Sequence, residues 1–192
     1  TYTRPFIALA FIGFVLASPS FLGHYALPQR QPQPLWKNAN RTVIGSSNSQ
    51  VLLDQSFSTY INDLKTSLLE NGFRPGDPIL DLTGQSPGLI YAVSGRLVGY
   101  PWLIGGRLGS NDMASALLAR IPTSELEASW ILDEPDGPQR INPPILQKIG
   151  IDLGNSTRYK PVGIFDVPKA AGGFFVPRTQ VLYKSLPRLA PL

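Results

Sequence analysis

Residues Pro5 to Gly23 read PFIALAFIGFVLASPSFLG without a single charge, and the uncharged run continues to Gln29. Nothing else in the chain constrains its fold as strongly. About 20 mostly apolar residues span the hydrocarbon core of a bilayer as a helix. In that medium every backbone polar group must find its partner within the segment, and a helix meets this condition. Ser18-Pro19-Ser20 interrupts the run near its end, which a membrane helix tolerates when neighbours satisfy the freed backbone groups. The reading is one N-terminal transmembrane helix over residues 1–27, the last of several. The alternatives are a signal peptide, with Arg4 as a minimal charged region and Val15-Leu16-Ala17 as a small-residue cleavage site, and a helix buried in a soluble core. The chain begins at Thr1 rather than Met, which favours a fragment or processed form over a signal peptide. Arg30, Lys37 and Arg41 after the segment outnumber Arg4 before it. Counted alone, they favour a cytoplasmic C-terminal side, but large domains cross membranes largely regardless of such charges.

Residues 28–48 read as a proline- and glutamine-rich linker, extended over Gln29 to Asn40 (QRQPQPLWKNAN), with Trp36 at the membrane interface or capping the domain. From Ser49 the pattern is globular, and residues 49–168 read as one soluble α/β domain. Phe57, Tyr60, Ile61, Leu64 and Leu68 recur at helical spacing, and Asn71-Gly72 is a fitting stop. Pro78 to Thr83 (PILDLT) reads as a short buried strand. Ser86-Pro87 follows as N-cap and first residue of a helix that Gly95 ends. Tyr100 to Ile104 reads as a second strand. A glycine-rich loop, Gly105 to Ser110, leads into a helix capped by Ser110 or Asn111 and ended by Pro122. Ser124 and Glu127 have capping-box spacing. Ala128 to Asp133 and Tyr159 to Val167 are further strand candidates, separated by a short helix from Asn142-Pro143 to Gly150. Residues 169–192 read as a hairpin, Phe174 to Val176 against Gln180 to Tyr183, and a tail. Strands alternating with helices predict a small, mainly parallel, Rossmann-like sheet flanked by helices.

Gly84-Gln85-Ser86-Pro87-Gly88 matches G-x-S-x-G, the strand-to-helix turn that presents the nucleophile of serine hydrolases. The chemistry fails on two counts. The chain's one histidine, His24, precedes the serine and belongs to the membrane segment. The residue after the serine is Pro87, which has no N–H to offer an oxyanion, a donor worth about 3 kcal/mol where it is present. The hydrolase reading is therefore rejected, and no catalytic residue is assigned. With no cysteine and one histidine, thiolate and multi-histidine metal sites are excluded. No metal or cofactor is expected. The net charge of +4 comes from scattered residues with no basic block. That argues against a nucleic-acid partner and leaves a basic face on anionic lipid as the more reasonable use of the charge.

In an open parallel sheet, ligands sit beyond the carboxyl ends of the strands. The strand assignments put Thr83, Gln85 and Ser86 there, with Gly105, Gly106 and Arg107, and with Asp133, Glu134 and Asp166. Thr83, Gln85, Ser86, Gly105, Gly106, Arg107 and Asp133 are the candidate ligand-binding residues, suited to a phosphate or a cluster of sugar hydroxyls. Ordinary turn and capping chemistry accounts for the same residues. Asp133-Glu134 could be a catalytic pair or metal ligands, but adjacent strand residues point to opposite faces and Pro135-Asp136-Gly137-Pro138 follows at once, so the preferred reading is an acidic pair opening a turn. Asp81, inside an apolar strand, reads as a buried hydrogen-bonded structural carboxylate.

The phrases GDPILDLTGQSPGLIYAVSG, WLIGG, SWILDEPDGP and YKPVGIFDVP, behind a hydrophobic helix and a linker, look like the C-terminal soluble region of bacterial multi-spanning membrane proteins. Those proteins resemble polyprenyl-phosphate-sugar glycosyltransferases of the GT-C type. The resemblance covers residues 5–168 and includes no catalytic motif, so no catalytic residue carries over. It implies an extracytoplasmic C-terminal domain of an inner-membrane protein, an accessory or substrate-handling domain over a membrane-embedded active site. Membrane lipid, and a polyprenyl-phosphate sugar or glycan acceptor met through the parent chain, are the implied partners. The alternative is a membrane-anchored, non-catalytic domain that binds a glycan, an anion or another protein.

Overall fold

The computed structural model describes residues 3–26 and 28–187. Residues 1, 2 and 27 of the expected membrane span and residues 188–192 of the expected tail lie outside the described residues. Helix α1 runs from Thr3 to Ala26. Its Phe6–Ala26 stretch is long and apolar enough to cross a membrane, and none of its most apolar window is buried against the rest of the chain. After α1 the backbone makes a single 3-10 turn at Leu35–Lys37. Trp36 packs on Tyr25 with ring centroids 5.5 Å apart, so the segment after the helix doubles back on it.

Two elements occupy stretches the sequence did not single out. Strands β1 (Asn40–Ile44) and β2 (Ser49–Leu53) form an antiparallel hairpin that begins inside the expected linker. Its turn needs a positive φ at Gly45 and Asn48, the turn chemistry that glycine and asparagine supply. Helix α2 (Gln55–Glu70) starts at Asp54, whose carboxylate accepts from the Ser56 and Phe57 amides. It ends at Asn71 with Gly72 left-handed, and Phe73 N–H closes onto the Leu68 carbonyl, as the sequence anticipates.

The main sheet comprises β3 (Pro78–Asp81), β4 (Arg96–Leu97), β5 (Trp130–Asp133), β6 (Tyr159–Asp166) and β7 (Thr179–Ser185), in the order β4-β3-β5-β7-β6. Helices α3 (Pro87–Ala92), α4 (Ser110–Leu118), α5 (Thr123–Ala128) and α6 (Pro143–Lys148) connect them. The α/β class holds, but a mainly parallel, Rossmann-like sheet does not. Strand β3 is parallel to β4 and β5, whereas β7 is antiparallel to both β5 and β6. The physical reason is the C-terminal segment. In place of a local hairpin with Phe174 to Val176, Thr179 to Ser185 inserts between β5 and β6 and satisfies the exposed edges of both. Tyr100 to Ile104 is not a strand either. The edge strand is Arg96–Leu97, and residues 98–109 form a loop in which Trp102 takes a φ of 66°.

Side-chain alternation along the strands divides the core in two. Ile79, Trp130, Leu132 and Leu182 pack with α2 and α3. Leu80, Leu82 and Ile131 face the other way, onto Leu118, Leu126 and Leu146. The same parity turns Asp81 and Glu134 toward α2 and α3, and turns Asp133 toward the opposite layer.

Candidate functional site

At the carboxyl end of β3 the chain needs a tight turn, and Gly84 supplies it with a φ of 72°. The buried Asp81 carboxylate organises that turn. Oδ1 accepts from Thr83 N at 2.9 Å and Thr83 Oγ1 at 2.6 Å, and Oδ2 accepts from Ser86 N at 3.0 Å. Burial raises the Asp81 pKa, while the bonds from Thr83 and Ser86 pull it down. Thr83 has one hydroxyl proton and gives it to Asp81. The 2.9 Å contact between Thr83 Oγ1 and Ser86 Oγ therefore has Ser86 as donor. Ser86 thus heads α3 without capping it, since no amide of the helix bonds to its hydroxyl. Its proton is committed inward, and it presents lone pairs outward.

Glu134 follows β5 directly and is 1% exposed. Its backbone carbonyl does open a turn, accepting from Gly137 N at 2.9 Å, while its side chain points into the protein. Arg178 Nη1 donates to both carboxylate oxygens at 2.9 and 3.1 Å. Gln180 Nε2 donates at 2.8 Å, and Gln85 Nε2 at 3.0 and 3.2 Å. Tyr60, from α2, donates its hydroxyl to Gln180 Oε1. Burial first, then the charges of Asp81 and Glu134, raise the Tyr60 pKa. A buried ion pair is tolerated when further hydrogen bonds satisfy the remaining lone pairs, and here two glutamines do so.

The second Arg178 nitrogen donates to Ala171 O at 2.5 Å, and its guanidinium lies over Phe174, 5.2 Å from the ring centroid. These contacts hold the turn between β6 and β7, in which Ala170, Gly172 and Gly173 all have positive φ. Beside this turn is a cavity of about 230 Å³ walled by Phe57, Leu89 and Val167, with Gln85, Ser86 and Gln180 among its polar lining. Two buried polar atoms of the network have no partner, Gln85 Oε1 and Arg178 Nε. One is an acceptor and the other a donor.

The candidate residues thus separate. Thr83, Gln85 and Ser86 come together, with Gln85 and Ser86 lining the cavity and Thr83 fixing Ser86. Gly105, Gly106 and Arg107 lie on the same sheet edge but do not line the cavity. Gly105 N–H is spent on Gln139 O at 2.7 Å, and a Cβ at Gly105 would overlap the Arg140 carbonyl. Gly106 approaches the Pro138 carbonyl in the same way, and Gly84 the Leu103 carbonyl. The glycines therefore serve the stacking of three loops, and Arg107 is exposed. Asp133 is buried on the far face, its pKa raised by burial and lowered by Arg140. In the sequence Tyr60 belongs to a helical apolar stripe and Gln180 to an expected hairpin, and neither they nor Arg178 were assigned to the site. The available signal was the i, i+2, i+4 spacing of Arg178, Gln180 and Leu182, all three buried, which is strand periodicity with its polar end at the sheet edge.

Among the described residues no group of His, Asp and Glu side chains is placed to hold a metal ion. Compared with protein-family models, curated proteins and solved structures, the chain gives no match.

Proposed function

We propose that this chain is a membrane-anchored domain that binds a small, uncharged, hydroxyl-bearing ligand in the cavity beside Gln85, Ser86 and Arg178. The supporting observation is the pair of orphaned atoms. A buried acceptor and a buried donor without partners each forfeit about 1–3 kcal/mol, and a ligand hydroxyl donates to one and accepts from the other. Gln85 Oε1 lies against Gly172, and the Arg178 guanidinium bonds to Ala171 O, so in this reading the ligand seats as the Ala171–Gly173 turn yields outward. Phe57 and Leu89 offer an apolar wall to the C–H face of a sugar ring. The charge balance favours a neutral ligand over an anion: Arg178 is the one charged residue in the lining, and Glu134 already neutralises it.

Helix α1 serves as the anchor in this reading. The resemblance supplies the context, an extracytoplasmic accessory or substrate-handling domain of a lipid-linked-sugar glycosyltransferase. The cavity then handles the sugar part of donor or acceptor and performs no chemistry itself. Calorimetric titration of the detergent-solubilised chain with mannose and with arabinose tests the pocket. Saturable binding that Gln85→Ala weakens at least tenfold and Arg107→Ala leaves unchanged supports it. Binding lost in Arg107→Ala and kept in Gln85→Ala would place the ligand on the glycine-rich loop instead.

A further inference from the structure

The carboxyl edge of the sheet gathers exposed apolar side chains from two loops. The loop after β4 presents Trp102 and Leu108, with Met113 following on α4. The turn between β6 and β7 presents Phe175 and Val176. Leu108 is as exposed as in a free peptide, at 106%. These side chains are held outward by ordered backbone. Trp102 occupies a left-handed φ of 66°, which a bulky residue adopts only under constraint. Gly105 is bonded to Gln139, and Ser110 Oγ both accepts from Arg107 N and donates to Arg107 O. Between Arg96 and Arg120 only Arg107 and Asp112 carry charge. The opposite edge of the sheet is built differently, with Arg74, Asp77, Arg96, Glu125 and Arg158 around the strand starts.

The end of α1 reaches the same carboxyl edge. A Cβ placed on Gly173 would lie 3.9 Å from Arg30 Nε, so the residues just after the helix run against the turn between β6 and β7. The connection is folded, with Tyr25 packed on Trp36 and Asn38 donating to Gln31 at 3.1 Å. A short, folded connection leaves the domain little freedom to move away from the end of its anchor.

We infer that the carboxyl edge of the sheet is a membrane-contact face, on which Trp102, Leu108, Met113, Phe175 and Val176 enter the interfacial layer of the bilayer that α1 spans. The inference rests on the anchored reading of α1. Tryptophan and tyrosine suit that layer because an apolar ring carries a polar handle. Arg30, Arg107 and Lys169, exposed on the same edge, keep their charges among the headgroups while their stems lie on apolar surface. A bilayer fits better than a protein partner because the anchor ends where the apolar residues are. The ligand cavity, behind the Ala171–Gly173 turn, then lies next to the membrane surface.

The chain has no cysteine, so single spin labels report cleanly. Leu108→Cys, Phe175→Cys and a control, Arg74→Cys, are labelled in the full chain reconstituted in phosphatidylcholine nanodiscs. Accessibility to oxygen and to a water-soluble nickel chelate is then compared. The expected result is an oxygen-over-nickel ratio several-fold higher at 108 and 175 than at 74. Labels at 108 and 175 that behave like the one at 74, or that are shielded from both reagents, overturn the contact face and leave the anchor and pocket readings standing. A chain that fails to co-elute with the discs overturns the anchored reading and this inference with it.

Discussion

Replacing Glu134 by glutamine perturbs the centre of the site with almost no change of shape. The carboxylate, 1% exposed, receives five contacts between 2.8 and 3.2 Å from Arg178, Gln180 and Gln85. In the variant the guanidinium stays buried without a counter-charge, and the new NH₂ group faces N–H donors. Removing one partner of a buried pair costs about 3–5 kcal/mol, a large share of the roughly 5–15 kcal/mol that holds a domain folded. Urea unfolding of the detergent-solubilised chain reads this through Trp130, which is 6% exposed in the core. The double variant Glu134→Gln/Arg178→Met separates charge burial from lost packing. With the cation gone, it should be clearly more stable than the sum of the two single effects predicts. A Glu134→Gln variant within about 0.5 kcal/mol of wild type would refute the reasoning, because such small effects belong to surface positions.

Three further outcomes follow from the same geometry. Gly105→Ala places a methyl group on the Arg140 carbonyl and should lower stability by about 1–3 kcal/mol, as overpacking does; urea midpoints check this. Gly172→Ala drives a Cβ into the Gln85 amide at a φ of 65°, so calorimetry should find sugar binding lost. Because Asp81 has its pKa raised by burial, its contribution to stability is present at low pH and lost as pH rises through the folded pKa. The stability difference between wild type and Asp81→Asn should therefore fall as pH increases from about 4; a difference that grows with pH contradicts the assignment.

What the sequence revealed and what it concealed divide along local and non-local lines. The end of α2 at Asn71-Gly72, Pro87 as the first residue of α3, the buried Asp81 and the strands at Pro78 and Trp130 all follow from neighbours a few residues apart. The position of β7 does not. Whether Gln180 to Tyr183 folds back on Phe174 or travels between β5 and β6 depends on edges formed by residues around 131 and 164. Half of the site depended on that choice. That Gln85 and Ser86 lie in the turn after a strand was legible because such a turn is a local pattern. Arg178 and Gln180 reach Glu134 only through the long-range pairing of β7. Gly105 and Gly106 carry a related ambiguity: close loop stacking and anion cradling demand the same residue, and the stacking on the Pro138 and Arg140 carbonyls depends on loops far apart in the chain.

A crystal structure of the chain grown with mannose or arabinose tests the central claim most directly. The expected result is a sugar ring beside Phe57 and Leu89, with one hydroxyl donating to Gln85 Oε1 and accepting from Arg178 Nε, and the Ala171–Gly173 turn displaced outward. A cavity left empty while the sugar sits at Gly105 to Arg107 would contradict it.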